Sequence, residues 1–158
     1  MKNAPIKNCI ESALDSRNYN AGSLPKRTDT VTAEALMHLL EMNEITGMES
    51  VFRMSTTRLS AVIHYLEKRY SWHIDRHDEV RGTKDGRTSW ITVYWLPQAT
   101  IANAFERGAR EWIDRVKLAR AEKRKKADEC KRIAEKINRS RNQSRKTNSR
   151  QSDLWGDL

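Results

Sequence analysis

The stretch that decides the fold runs from Thr46 to Leu96 and reads TGMESVFRMSTTRLSAVIHYLEKRYSWHIDRHDEVRGTKDGRTSWITVYWL. Two segments with helical spacing of apolar residues come first. Two segments with alternating apolar residues follow, on either side of a glycine-containing tip. This order predicts two helices followed by a β-hairpin.

The first of these helices is predicted to begin after Thr46, which is a good N-cap residue. Glu49 lies three residues later, where its side chain can complete a capping box. Met48, Val51 and Phe52 then give this helix one apolar face at helical spacing. Ser55 is a second N-cap candidate, so this first helix must be short.

The second helix is predicted over Ser55 to Tyr70, with one apolar stripe toward the core. The stripe consists of Leu59, Val62, Ile63, Leu66 and Tyr70. The opposite side carries small hydroxyl groups, a histidine and a lysine, on Thr56, Thr57, Ser60, Ala61, His64, Tyr65 and Lys68. Such a side suits close approach to base edges, with Arg58 and Arg69 placed to contact phosphates. An ordinary amphipathic helix with a solvated outer side fits the same pattern.

The hairpin is predicted from aromatic and β-branched residues that alternate over 72–77 and 90–96. Asp85-Gly86 between them is a preferred pair for a tight turn. Arg81, Lys84 and Arg87 surround this turn, and a cationic tip can hold phosphates. The alternative is a solvated hairpin whose charges keep its edge from pairing with other chains.

Residues 28–96 resemble the winged helix-turn-helix domains that are common in bacterial and phage regulators and replication proteins. Within them, STTRLSAVIHYL resembles the recognition helix of that class. The resemblance implies an α+β, mostly helical fold that binds double-stranded DNA. It implies DNA contacts from the second helix and from the hairpin, by Ser55, Thr56, Thr57, Arg58, Ser60, His64, Lys68, Arg81, Lys84 and Arg87.

Charge is distributed unevenly along the 158 residues, whose net charge is +9. Residues 1–114 contain 15 Lys and Arg and 15 Asp and Glu, whereas residues 115–150 contain 15 against 4, a net of +11. This asymmetry favours a polyanionic partner that is contacted by the C-terminal third. No apolar run approaches the ~20 residues of a membrane-spanning helix, so no membrane partner is predicted.

The segments on either side of the module are predicted from composition. Residues 1–27 are expected to be a flexible arm, and the first core helix to begin after Thr30 or Thr32 with a partly buried His38. Pro97 suits the start of one long helix over 97–139, basic from 115, whose first half packs on the module or on a twin subunit. The tolerated Gly108 hints at a close helix–helix contact.

The basic part of this helix carries Lys123, Arg124, Lys125 and Lys126, which are predicted to contact phosphates. Ala127, Cys130, Ala134 and Ile137 keep a roughly heptad spacing. A solvated, partly paired coiled-coil stalk, and with it a homodimer, is therefore the alternative.

The tail over 140–158 is predicted to be disordered because it is basic and polar up to its last residues. Its QSDLW resembles the pentapeptide with which bacterial proteins dock on the replicative sliding clamp. That resemblance implies that Gln151, Leu154 and Trp155 are anchors, although the usual aromatic residue is Phe. Alternatively, Trp155 folds back on the winged domain, or the tail has no partner.

No catalytic constellation is visible in the sequence. The histidines at 38, 64, 73 and 77 and the cysteines at 9 and 130 match no metal-site or disulfide spacing, so no enzyme activity and no cofactor are predicted. No secretory signal opens the chain, and a reducing cytoplasm is expected. Three functions stay open: a phage or mobile-element DNA-binding protein tethered to the clamp, a dimeric transcription regulator, or an interaction protein that inhibits a host nucleic-acid machine.

Overall fold

Helices combine with a small antiparallel sheet in the computed structural model, which describes residues 21–41 and 43–152 and their side chains up to residue 144. The elements in chain order are α1 (Val31–Leu40), β1 (Ile45–Thr46), α2 (Gly47–Met54), α3 (Leu59–Tyr70), β2 (Asp75–Gly82), β3 (Thr88–Trp95), α4 (Gln98–Glu106), α5 (Ala109–Lys125) and α6 (Ala127–Ser152). This part of the chain is α+β and mostly helical, as the sequence predicts.

Two helix starts follow the predicted capping chemistry. The Thr30 hydroxyl accepts a hydrogen bond from the Ala33 amide at 3.1 Å, so α1 begins after Thr30. At α2 the Thr46 hydroxyl accepts from the Glu49 amide at 3.3 Å, and the Glu49 carboxylate accepts from the Thr46 amide at 2.9 Å. The predicted capping box is therefore confirmed.

The predicted apolar face of α2 lies toward solvent and not toward the core. Met48, Val51 and Phe52 are 66%, 39% and 78% exposed. The helix instead buries Ser50 and Met54. The Ser50 hydroxyl is bonded to the carbonyls of Gly47 and Thr56 at 2.7 and 2.9 Å, so a small polar residue occupies the inner side. The three outward apolar residues, Met48, Val51 and Phe52, form what we call the α2 patch.

The predicted start of α3 is also wrong. Ser55 has φ 54, in the left-handed region, and ends α2 as its C-cap. An N-cap residue adopts extended backbone angles, so Ser55 cannot begin the next helix. A short turn follows, in which the Thr56 hydroxyl accepts from the Arg58 amide at 3.2 Å, and α3 begins at Leu59.

The predicted apolar stripe of α3 is confirmed. Leu59, Ile63 and Leu66 are buried, and Val62 and Tyr70 pack against the same core. The stripe lies against α1, seven of whose ten residues are buried. These two helices form the centre of the core.

The sheet has the order β1-β3-β2. The predicted hairpin is present as β2 and β3, which pair from Asp75↔Trp95 to Gly82↔Thr88. Its tip is closed by a 2.8 Å bond from the Thr83 amide to the Arg87 carbonyl, with Gly86 at φ 80. The two-residue β1 on the other side of β3 is too short to be visible as an alternating pattern.

The single helix predicted over 97–139 is divided into three. Gly108 has φ 88 and separates α4 from α5, and Lys126 separates α5 from α6. A Cβ on Gly108 would meet nothing within 4 Å, so this glycine permits a left-handed turn and not a close helix contact. The first half does pack on the module, through Ile101, Ala104, Ala109, Trp112, Ile113 and Val116.

The first part of the segment predicted to be disordered from residue 140 belongs to α6, which is described as far as Ser152. Residues 127–152 contain neither Pro nor Gly, so no backbone feature interrupts the helix. All its described side chains, up to residue 144, are exposed.

The predicted flexible arm is wrong over residues 21–27, and residues 1–20 lie outside the described range. Residues 21–30 cross the ends of α3, α4 and α5, and we call them the strap. Three side chains donate hydrogen bonds to its backbone carbonyls. Trp72 Nε1 donates to Ser23 at 2.9 Å, and Trp112 Nε1 donates to Pro25 at 2.9 Å. The Arg107 guanidinium donates to Ala21 at 2.7 Å.

His38 is half-buried, as predicted. Its burial lowers the pKa below the ordinary value of 6.5. Glu34 and Glu41 oppose this effect weakly, so the neutral imidazole is the form that the fold favours.

Candidate nucleic-acid interface

The outward side of α3 carries most of the residues predicted to read DNA. Thr57, in the turn before the helix, and Ser60, His64 and Lys68 on the helix are exposed. Between them lie Ala61 and the half-exposed Tyr65. We call the six residues Thr57, Ser60, Ala61, His64, Tyr65 and Lys68 the α3 face. Arg58 is exposed at the start of the helix and adds one cation beside this face.

Ser55 and Thr56 differ from the other predicted contacts because they build the turn between α2 and α3. Ser55 supplies the left-handed C-cap. Thr56 has its hydroxyl bonded to the Arg58 amide and its carbonyl bonded to the Ser50 hydroxyl. Their first role in the structure is to hold the start of α3 in place.

The hairpin is attached to α3 by an ion pair between Arg76 on β2 and Glu67 on α3. The Arg76 guanidinium also lies 5.7 Å from the centre of the Tyr94 ring, its cross-strand partner. Alternate residues share one side of a strand, so Val80 and its partner Trp90 lie on the same side as Arg76. Val80 is 50% exposed and Trp90 is 73% exposed.

The tip of the hairpin is less cationic than its three predicted contacts indicate. Arg81 pairs with Glu79, and Arg87 pairs with Asp85 at 2.6 Å. Hydrogen bonds from Thr83 and then Arg87 lower the pKa of Asp85, so its charge persists. Among the described residues, Lys84 makes no ion pair. Of the three predicted contacts, Lys84 is therefore the one that can bind phosphate without first breaking an ion pair.

The basic part of α5 is bound to α1 and the strap. Lys117 pairs with Glu41 at 2.6 Å, and Lys123 pairs with Asp29 at 2.8 Å. The hydrogen bonds of Lys123 and Arg27 lower the pKa of Asp29 to about 2. Pairing with Glu41 raises the pKa of Lys117.

Glu34 on α1 receives two arginines of α5 and is itself only 1% exposed. Arg120 lies 2.6 Å from this carboxylate, and Arg124 pairs with its other oxygen. Arg124 also donates to the Arg53 carbonyl at 3.3 Å. Sequence reasoning missed this cluster, and its only local signal is a glutamate inside the otherwise apolar run AEALM.

The four basic residues predicted to contact phosphate thus occupy different environments. Lys123 and Arg124 are held by Asp29 and Glu34. Lys125 pairs with Glu122 at 2.5 Å within the helix. Lys126 is the C-cap of α5 and is exposed. Beyond it, α6 adds exposed cations at Lys131, Arg132, Lys136, Arg139 and Arg141.

The three predicted clamp anchors fall at the edge of the described range or beyond it. The backbone of Gln151 belongs to the last turn of α6. Leu154 and Trp155 lie outside the described residues. Across the described part of the chain, no group of three or more His, Cys, Asp and Glu could hold a metal ion, and no helix is long and apolar enough to cross a membrane.

Comparison with known proteins gave no match, either to a protein-family model or to a curated protein sequence.

Proposed function

We propose that this protein binds double-stranded DNA as a winged helix-turn-helix protein. The observation that carries the proposal is the pairing of the α3 face, with its hydroxyl, imidazole and ammonium groups, with a hairpin attached to the same helix by Arg76 and Glu67. The order of three helices followed by a hairpin supports it. A helix of this kind fits the major groove of B-form DNA.

Within this proposal the side chains divide the work of recognition. Thr57, Ser60 and His64 contact base edges, where hydroxyl and imidazole groups donate and accept hydrogen bonds. Arg58 and Lys68 contact phosphates on either side, which sets the register of the helix. Lys84 contacts phosphate from the hairpin, and Arg81 and Arg87 contribute once their carboxylate partners are exchanged for phosphate.

The proposal is tested by selecting bound fragments from a random duplex library with the intact chain and with Thr57→Ala plus His64→Ala. The selected site should change, because these side chains face the bases. His73→Ala is the matched control, since His73 is exposed outside α3. An unchanged preferred site in the double variant would remove the α3 face from base recognition, and a chain that binds no duplex at low salt would remove the proposal itself.

Attachment to a sliding clamp is part of the same proposal and depends on the resemblance of residues 151–155. Pull-down with purified bacterial clamp should retain the intact chain and lose the variant Gln151→Ala plus Leu154→Ala. Equal retention of the two proteins would leave a DNA-binding protein without this tether.

A protein partner is the second candidate, favoured by the exposure of the α2 patch. A phenylalanine that is 78% exposed beside a methionine that is 66% exposed is typical of an interaction surface. This candidate covers both a dimeric regulator and an inhibitor of a host nucleic-acid machine. Sedimentation of the intact chain and of Phe52→Ser tests the dimer, which should dissociate in the variant if the patch forms its interface.

A further inference from the structure

A second cationic surface lies between the strap and α3. It is an open groove of about 590 Å³, lined by Ser23, Leu24, Lys26, Arg27, Thr30, Thr32, Tyr65, Arg69 and Tyr70. Five hydroxyl-bearing residues and three cations line it, and its apolar wall is formed by Leu24 and the rings of the two tyrosines. Among the described residues that line the groove there is no carboxylate.

The walls of the groove are held firmly on both sides. The Ser23 amide donates to the Tyr70 carbonyl at 2.8 Å, which fixes the strap to the end of α3. Leu24 packs against the core. On the other wall, Tyr65 and Tyr70 contact each other edge-to-face with ring centres 5.7 Å apart. A ligand therefore meets a preformed surface, which lowers the cost of binding.

The charges at the groove are available to an anion to different degrees. Arg27 pairs with Asp29 at 3.4 Å, and Asp29 also binds Lys123. Lys26 and Arg69 are exposed and make no ion pair with any described residue. One ammonium and one guanidinium thus face the groove without a carboxylate, and together they suit a phosphate, which accepts several charge-assisted hydrogen bonds.

The groove also continues the α3 face. Tyr65 belongs to that face and lines the groove, and Arg69 lies one turn further along the same helix. A phosphate of a nucleic-acid strand that follows the exposed side of α3 therefore reaches Lys26 and Arg69 without a change in the fold.

We infer that the groove between the strap and α3 binds a phosphate of the nucleic-acid backbone, held by Lys26 and Arg69, beside the strand contacted by the α3 face. This inference rests on the proposed function and extends it to a part of the chain that the hairpin and α3 do not include. It assigns the strap a binding role in addition to its role in packing.

The test measures the affinity of the intact chain for a random-sequence duplex as a function of salt. Lys26→Ala plus Arg69→Ala should bind more weakly, with the log–log salt slope reduced by about 0.9, because the variant loses the one phosphate contact in the groove. Arg110→Ala plus Arg115→Ala is the control, since both are exposed on α5, neither lines the groove, and the change in net charge is the same. Both variants should unfold at the temperature of the intact chain.

If the salt slope falls equally in the groove variant and in the control variant, the inference is overturned. The proposed function is judged separately, because it requires only that the intact chain binds duplex DNA. A second measurement uses inorganic tripolyphosphate, followed by amide chemical shifts. Shifts centred on residues 23–27 and 65–69 that disappear in Lys26→Ala plus Arg69→Ala support the groove as a phosphate site, even if the intact chain binds no duplex. Failure of both measurements removes the groove as a phosphate site.

Discussion

Glu34 is the residue whose environment departs furthest from what its type prefers. Its carboxylate is buried on α1 and is balanced by Arg120 and Arg124, about one full α5 turn apart, so the charge leaves water together with its partners. This cluster joins the first and fifth helices across 86 and 90 positions of sequence. It therefore fixes where α5 lies on the core.

Replacing Glu34 by Gln should lower the free energy of unfolding by about 3 kcal/mol, because two arginines lose their counter-charge at a buried site. This is the lower end of the range of about 3–5 kcal/mol for removing one partner of a buried ion pair. The loss is expected to be small within that range because the side chain of Arg124 is 57% exposed and can be solvated by water. Urea denaturation measures the change. Glu44→Gln, at an exposed position, is the control and should stay within about 0.5 kcal/mol of the parent. Equal losses in the two variants would show that the cluster adds no stability.

His38 should make stability depend on pH. Burial lowers its pKa in the folded state below 6.5, so the unfolded chain binds the proton more readily. The contribution is fully present above pH 6.5 and is lost as the pH falls through the folded-state pKa. The negative charges of Glu34 and Glu41 favour the charged form of His38, and the positive charges of Arg53 and Arg124 disfavour it.

Urea midpoints for the intact chain and for His38→Gln, measured from about pH 7.5 down to about pH 5.5, test this expectation. The intact chain should lose more stability than the variant as the pH falls. Parallel pH profiles would contradict a half-buried imidazole that the fold keeps neutral.

At the scale of elements, the boundary between α4 and α5 depends on one backbone conformation. Gly108→Ala should destabilise the fold by about 1–2 kcal/mol, because φ 88 is unfavourable for a residue with a Cβ. No clash adds to this cost, since the new Cβ would meet nothing within 4 Å. Gly47→Ala is the control: it has the same open surroundings without positive φ, so it should stabilise α2 by about 0.4–1 kcal/mol. Thermal unfolding should show a lower unfolding temperature for Gly108→Ala and a higher one for Gly47→Ala. A lower unfolding temperature in both variants would contradict the role assigned to positive φ at Gly108.

The hairpin should act mainly through one cation. Lys84→Ala is expected to reduce the salt slope of duplex binding by about 0.9, the effect of one phosphate contact. Arg81→Ala and Arg87→Ala should reduce it less, because Glu79 and Asp85 already neutralise those guanidinium groups. Fluorescence anisotropy at several salt concentrations measures all three slopes. Three equal reductions would mean that phosphate displaces the carboxylates without cost.

Sequence patterns predicted the elements whose cause is local. The capping box of Thr46 and Glu49, the α3 stripe and the turn at Gly86 each depend on residues within one or two helical turns. The start of α3 was not predictable in the same way, because a serine can cap either end of a helix and only the packing of Ser50 and Met54 decides which.

The candidate site was predictable in its chemistry and not in its surroundings. The α3 face follows from periodicity alone. The neutralisation of Lys123 and Arg124 does not, because Asp29 and Glu34 lie far away in sequence. The groove likewise needs the strap to cross α3, and the composition of residues 21–27 indicates a loop without showing what the loop contacts.

At the scale of the whole molecule, α6 should be separable from the rest. Its 26 residues extend about 39 Å, and its described side chains are all exposed. Deleting residues 127–158 should leave the unfolding temperature nearly unchanged, since the side chains described in this segment, up to residue 144, are all exposed. The same deletion should weaken duplex binding and lower the salt slope by about 0.9 for each phosphate that α6 neutralises.

The control for this deletion removes residues 153–158 alone and keeps α6, with its eight Lys and Arg against three Asp and Glu. This shorter deletion should retain the full salt slope. If it loses as much affinity as the longer one, the basic helix contributes nothing to DNA binding.

The register of the strap against the end of α3 is fixed at Gly22. At Gly22 a Cβ would lie 2.3 Å from the Tyr70 carbonyl oxygen, so only glycine passes that point, and a shift by one position would bring Ala21 or Ser23 into collision there. Residues 21–30 therefore have one register against α3, and a register shifted by one residue is excluded by this collision. An insertion or a deletion of one residue between Gly22 and Lys26 has to be absorbed as a bulge or a stretched segment, and it alters the distance between Lys26 and Arg69.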